Sequence, residues 1–159
     1  MKTSISVLAI AGIALIATIA SGTFSTKTIL DDNKEQVAEA VIYKSPSCGC
    51  CGKYAAYLRE EDYDITIEGK RDMQAIKEQF LIPYEVESCH TMKIAGYVVE
   101  GHIPELVIKK LLSEKPDIAG IGMAGMPSGS PGMPGIKNAD FIIYTITHDG
   151  KRGEVYMTI

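Results

Sequence analysis

Tyr43-Lys44-Ser45-Pro46-Ser47-Cys48-Gly49-Cys50-Cys51-Gly52-Lys53 places three cysteines within four positions. On its upstream side, Val37–Tyr43 is a largely apolar run ended by Ser45-Pro46-Ser47, the pattern of a buried strand and its turn. Downstream, the segment from Gly52 to Glu61 carries Tyr54, Tyr57 and Leu58 at helical spacing. The cysteines thus stand where a strand hands over to a helix. Cys48 and Cys51 have the C-x-x-C spacing of a redox pair at that position. Unpaired N–H groups and the partial positive charge of a helix N-terminus favour thiolate there. Cys50 adds a third sulfur between the two.

The chain repeats this alternation outward from the motif. Asp64–Glu68 alternates through Ile65 and Ile67 and reads as a second strand. Asp72–Leu81 reads as an amphipathic helix with Met73, Ile76 and Phe80 on one face and Pro83 just beyond its end. A loop to His90 leads into a predicted hairpin, Met92–Ala95 and Tyr97–Glu100 turning near Gly96. Pro104 opens a helix to about Leu112, proline being suited to a first helical turn. Gly120–Gly135 reads as a Gly/Pro-rich loop, and Phe141–Thr147 and Glu154–Ile159 as strands joined through Asp149-Gly150. The order β-α-β-α-β-β-α with an extra C-terminal hairpin is the α/β plan of thioredoxin and glutaredoxin: a central mixed sheet with flanking helices. The first β-α-β unit should be a right-handed crossover between parallel strands. No internal repeat and no glycine pattern of the phosphate-loop or dinucleotide type is present.

The N-terminus reads differently. Lys2 is followed by an apolar run from Ile5 to Ala20, then Ser21-Gly22, with no further charge until Lys27. A short basic start, an apolar stretch and small residues match a secretory signal peptide, so residues 1–22 are expected to be a leader, or a membrane anchor if uncleaved. The run is short against the roughly 20 apolar residues of a spanning helix. A polar segment, 23–36, reads as a flexible linker, and 37–159 as the working domain. That domain is expected in the periplasm or otherwise outside the cytoplasm. The whole chain has 159 residues and a net charge of −4. Loss of the leader removes Lys2 and makes the charge more negative still. This balance excludes a nucleic-acid binder driven by bulk positive charge.

Three readings of the four cysteines follow. Export permits structural disulfides, but pairing among Cys48, Cys50 and Cys51 closes loops too small to restrict the unfolded chain much. A dithiol oxidoreductase would use Cys48 and Cys51, with Cys50 inviting unwanted exchange. A soft-metal site is the third reading, since thiolates select Cu(I), Zn(II) and iron–sulfur clusters. C-x-C-C is too tight for three sulfurs to serve one tetrahedral zinc comfortably, whereas thiolates bridging several Cu(I) ions fit that density. Cys89 precedes the third strand, whose leading loop faces the C-x-C-C motif in this fold plan, so all four sulfurs are expected to converge.

The motif, Ser88-Cys89-His90-Thr91, the segment Gly96-Tyr97-Val98-Val99-Glu100-Gly101-His102-Ile103-Pro104, and Gly125-Met126-Pro127-Ser128-Gly129-Ser130-Pro131-Gly132-Met133 occur in order across most of Val41–Phe141. In these stretches the chain resembles the CopG-like family of predicted metal-binding proteins associated with bacterial copper resistance. The resemblance implies a thioredoxin-like fold, an extracytoplasmic location, and copper held by Cys48, Cys50, Cys51 and Cys89 as a multinuclear Cu(I) cluster, with redox activity toward copper an open addition. It also implies copper ions, and another copper-handling protein, as partners. One departure is that Pro134-Gly135 follows Met133 where the family pattern leads us to expect an acidic residue.

Other residues have weaker claims. His90 adjoins Cys89, but neighbours on an extended chain tend to point opposite ways, so it is either a ligand or a hydrogen-bonding support. His102 reads as a local capping partner or further ligand, and His148 as a solvated turn residue. Met123, Met126 and Met133 offer thioethers in the loop, Met126 foremost, although methionine also serves as plain packing. Lys44 and Lys53 flank the cysteines and could favour thiolate.

Overall fold

The computed structural model describes residues 38–159. The expected leader and linker, and Val37, lie outside the described residues. The elements are β1 (Glu39–Lys44), α1 (Gly49–Glu60), β2 (Asp64–Gly69), α2 (Met73–Gln79), β3 (His90–Ile94), β4 (Tyr97–Glu100), α3 (Glu105–Glu114), β5 (Gly120–Gly122), β6 (Ile142–Ile146) and β7 (Arg152–Thr158). They build one seven-stranded sheet in the order β2-β1-β3-β4-β5-β6-β7. β1 and β2 run parallel across the first helix, and β4 and β5 run parallel across α3. The other neighbours are antiparallel. The mixed α/β architecture of thioredoxin type is thus the one the element order predicts.

Side-chain alternation sorts the core onto the two faces of this sheet. Ile42, Met92, Val99, Ile121 and Ile143 pack with Tyr54, Ala55 and Leu58 of α1 and Val107, Ile108 and Leu111 of α3. Val98, next to Val99 on β4, belongs to a second cluster with Ile82, Val86 and Ile146, against which Phe80 packs beyond α2. β1 shows the same division: Ala40, Ile42 and Lys44 are buried, and the alternate Tyr43 ring meets Phe80 with centroids 5.3 Å apart.

Three expectations are corrected. The region 120–135 is not all loop, because Gly120–Gly122 is a strand bridging β4 and β6. Its glycines follow from lack of room: a Cβ at Gly122 would lie 2.8 Å from Val86 Cγ2. The first helix also begins three residues earlier than its apolar spacing suggests, at Gly49. This puts Cys50 and Cys51 inside its first turn. Asp72 and Pro104 are N-caps rather than helical residues, Asp72 accepting the Ala75 N–H at 3.0 Å.

Leu58, fully buried between α1 and the sheet, tests this core. Leu58→Ala should cost about 2–5 kcal/mol, the usual cost of emptying a packed aliphatic site. Ile136→Ala, at an 82% exposed position, should stay within about 0.5 kcal/mol of wild type. Urea unfolding of the two variants checks both.

Candidate metal centre

β1 and β3 set the site. In their antiparallel ladder Lys44 lies opposite His90, so the turn that leaves β1 and the loop that enters β3 meet at one end of the sheet. The first carries Cys48, Cys50 and Cys51, the second Cys89. Cys48 is the N-cap of α1, its Sγ accepting the Cys51 N–H at 3.3 Å. A disulfide joins Cys48 to Cys51, and Cys50 and Cys89 are free thiols. Cys50 Sγ lies 3.4 Å from Cys48 Sγ and 4.0 Å from Cys89 Sγ, and Cys51 Sγ lies 3.4 Å from Cys89 Sγ. All four sulfurs fall within 4.8 Å of one another, the convergence the fold plan predicts.

Two histidines complete the arrangement. His102 is buried, and its Nδ1–H donates to the Pro131 carbonyl at 2.7 Å. A carbonyl only accepts, so this bond fixes the tautomer and leaves the Nε2 lone pair facing Cys89 Sγ at 3.1 Å. His90 is also buried, with Nδ1 3.5 Å from Cys89 Sγ and with Nε2 lacking a hydrogen-bond partner. Cys89, His90 and His102 form a second set of ligand atoms within 4.8 Å. Tyr54 of α1 packs against both imidazoles, with ring centroids 4.6 and 5.3 Å away, and donates its hydroxyl to Ile103 O at 2.9 Å.

Burial sets the protonation states. It is the main cause, with His102 and Lys77 adding, that pushes His90 down to about 3. Burial likewise lowers His102, against the opposing pull of the Pro131 carbonyl. Burial, and then Cys50, push the Cys89 thiol up to about 12. In the metal-free protein the site therefore holds neutral imidazoles and a protonated Cys89.

The segment after β5 lies against this end of the sheet. Gly125 N–H donates to Glu87 O at 2.9 Å, and the Ser88 hydroxyl donates to the Gly125 carbonyl. Gly132 has φ +78°, and a Cβ there would lie 2.7 Å from Tyr54 N and 2.9 Å from Cys50 O. This close approach seats the segment on the N-terminus of α1. Met126, 49% exposed, brings Sδ to 3.9 Å from Cys50 Sγ.

The remaining candidates are placed elsewhere. Met123 is a core residue beside Ile121 and Phe141, so its part is packing. Met133 is half-buried in a turn that its N–H closes onto Ser130 O. His148 is exposed and meets Asp117 at 2.9 Å, as a solvated turn residue would. Lys44 Nζ is engaged by Ser45 O at 2.8 Å, and Lys53 is exposed. His102, read from sequence as a capping partner or further ligand, lies beside Cys89, and sequence reading missed Lys77 and Glu100, a buried ion pair at 2.5 Å bonded to Ser88 next to Cys89. An acidic residue ending the otherwise uncharged strand Tyr97-Val98-Val99-Glu100 was the available signal.

A thioredoxin-type sheet with four cysteine sulfurs and two imidazoles gathered at one end of its strands has the donor set of a soft-metal site. A family model described as "Protein of unknown function, DUF411" matches residues 86–133, which hold Cys89, both histidines and Met126. Among curated proteins no sequence matches. A solved structure described as "Copper resistance protein copG- Form 2" is 33% identical, with a TM-score of 0.71, covering 77% of this chain and 98% of its own. A second, "Copper resistance protein copG- Form 1", is 34% identical, with a TM-score of 0.69, covering 76% and 96%. The chain belongs to the CopG copper-resistance family. Family and cysteine cluster together support copper-related metal binding.

The buried histidine makes a pH prediction for the metal-free protein. His90 has a folded pKa of about 3, against about 6.5 when unfolded. Between these values the unfolded chain binds a proton that the folded chain does not, so stability falls as pH drops from about 6.5 towards 3, by on the order of a few kcal/mol. His102 acts in the same direction. Urea unfolding midpoints at several pH values should fall more steeply for wild type than for His90→Phe; equal slopes would refute the assignment.

Proposed function

We propose that this is an extracytoplasmic protein that binds Cu(I) for copper resistance or handling. Cys48, Cys50, Cys51 and Cys89 hold the copper as a multinuclear thiolate cluster. The observation that carries the reading is the set of four sulfurs within 4.8 Å, a density suited to thiolates shared among several soft ions. His102 is a further ligand, since Nε2 is the free lone pair and the carbonyl behind Nδ1 is the usual support of a metal-binding imidazole. His90 and Met126 stand next in reach. Copper is cargo, exchanged with another copper-handling protein. The half-exposed Met126 thioether supplies a soft contact on the outer side of Cys50.

Loading follows reduction. Two electrons and two protons, from an external thiol pair, convert the Cys48–Cys51 disulfide into two thiols, and each Cu(I) then displaces a thiol proton. The apolar leader motivates the location outside the cytoplasm. Recovery of the uncleaved full-length chain from the cytoplasm would overturn that part.

Anaerobic Cu(I) titration of the reduced full-length chain, with metal counting, tests the cluster. We expect more than one copper per chain, retained against a competing chelator and largely lost in Cys89→Ser. One weakly held copper per chain, or none, would sink the cluster model.

The Cys48–Cys51 disulfide favours one alternative: a thiol–disulfide oxidoreductase using that pair. Strong disulfide reductase activity, abolished by Cys48→Ser and untouched by Cys50→Ser, is its expected signature. Activity that tracks all four cysteines alike, or none, counts against it.

A further inference from the structure

Beneath Cys89 the sheet contains a charged group where apolar packing would be expected. Glu100, the last residue of β4, is fully buried. Its Oε1 accepts Lys77 Nζ at 2.5 Å and the Ser88 N–H at 2.6 Å, and its Oε2 accepts the Thr91 hydroxyl at 2.6 Å. Ser88 and Thr91 bracket Cys89 and His90. One carboxylate therefore grips both ends of the four-residue segment that carries two of the site's candidate ligands. Lys77 of α2, itself buried, supplies the countercharge and reaches Thr91 Oγ1 at 3.5 Å.

The backbone around Glu100 extends the grip. Its carbonyl accepts the Met123 N–H at 3.1 Å, and the Gly101 N–H donates to His90 O at 3.2 Å. Gly101 has φ +87°, and a Cβ there would lie 2.7 Å from Met123 O and 2.9 Å from Ser88 Cβ. The strands leading to His102 and to Met126 are thus tied to the segment that Glu100 holds.

A buried ion pair is weak evidence for stability, because desolvation can exceed the attraction, and well-packed apolar residues often serve as well. Fixing one geometry is the better-attested use of such a pair. The partners here decide the matter: two of the three donors to Glu100 belong to the Cys89 segment itself.

We propose that Glu100 is a positioning residue of the metal centre. Through Ser88 and Thr91 it holds Cys89 Sγ within 4.0 Å of Cys50 and Cys51 Sγ and of His102 Nε2, and Lys77 anchors the carboxylate from α2. The inference rests on the copper-binding reading for its purpose, but the placement of Cys89 can be measured without metal.

Two readouts test it in the full-length chain. The first is Cu(I) affinity of the reduced protein by chelator competition, together with the Cu–thiolate absorption spectrum. Glu100→Gln should weaken Cu(I) binding about 10- to 100-fold, the range seen when supports of metal ligands are lost, and should change the spectrum. The double variant Lys77→Met with Glu100→Leu replaces the pair by apolar groups and should show the same loss at an unfolding midpoint near wild type. Wild-type affinity and spectrum in that folded variant would overturn the proposal. If it does not fold, Thr91→Val decides. A several-fold affinity loss at an unchanged midpoint supports the proposal, and unchanged affinity overturns it.

The second readout needs no copper. In a Cys48→Ser, Cys50→Ser background, Cys51 and Cys89 can form a disulfide, whose equilibrium against glutathione reports how well the two sulfurs are held together. Adding Glu100→Gln should shift that equilibrium about tenfold toward the dithiol, and no shift would overturn the proposal. A wild-type chain that takes up no Cu(I) while this equilibrium responds would sink the copper reading and leave the positioning role standing.

Discussion

The pairing of Lys44 with His90 across β1 and β3 is the constraint on which the candidate site depends. It sets the end of one strand beside the beginning of another, and the two cysteine segments must then meet. The next ladder repeats the device. Thr91 lies opposite Glu100 in the β3–β4 register, so the chain leaving β4 through Gly101 and His102 arrives at the same end of the sheet. Strand register thereby gathers three stretches of the chain, which side-chain contacts such as those of Glu100 then hold. Register is strongly enforced here, because a one-residue slip would turn every buried side chain of β3 to the wrong face. His90, Thr91 and Met92 are all buried, so neither face of β3 would tolerate that slip.

Gathering the sulfurs at a half-buried site, with only Cys51 fully enclosed, has an electrostatic consequence. Burial disfavours charge, so the metal-free site is occupied by protons or by a covalent bond: a raised Cys89 thiol, two neutral imidazoles and a disulfide. A metal ion entering such a place must displace thiol protons and leave little net charge behind. Thiolate with a monovalent soft cation meets that condition, each pair cancelling its own charge. A hard divalent ion would forfeit its hydration for sulfur and nitrogen donors it binds poorly. For the proposed copper site, the burial that raises the Cys89 pKa therefore also favours a monovalent soft ion.

Much of this was legible in the sequence, for identifiable reasons. The strand–cysteine–helix order placed three sulfurs, and the predicted hairpin after Cys89 placed the fourth. The histidines were harder. Alternation argued against His90 beside Cys89, but β3 starts at His90, so Cys89 precedes the strand and the rule does not govern the pair. His102 follows Gly101, whose φ of +87° turns the chain back towards Cys89, and spacing carries no trace of that. β5 escaped notice because Gly120 and Gly122 resemble loop residues, although they are glycine because the neighbouring strand and Val86 leave no room for a Cβ. The early start of α1 was hidden for another reason: its cap is a cysteine sulfur, outside the oxygen-bearing residues usually found there.

The Cys48–Cys51 disulfide and the proposed copper cluster draw on the same sulfurs. Each sulfur of the bonded pair has another sulfur at the same distance: Cys50 at 3.4 Å from Cys48, and Cys89 at 3.4 Å from Cys51. The disulfide withdraws Cys48 and Cys51 as thiolates and leaves Cys50 and Cys89 free, 4.0 Å apart with His102 beside Cys89. The oxidised site thus keeps two sulfurs and an imidazole, and the reduced site has four sulfurs. A dithiol mechanism through Cys48 and Cys51 assigns no part to Cys50, and one tetrahedral ion has fewer positions than four sulfurs and a histidine. On the proposed copper reading every one of these donors has a place, Cys48 and Cys51 joining as thiolates once their disulfide is reduced.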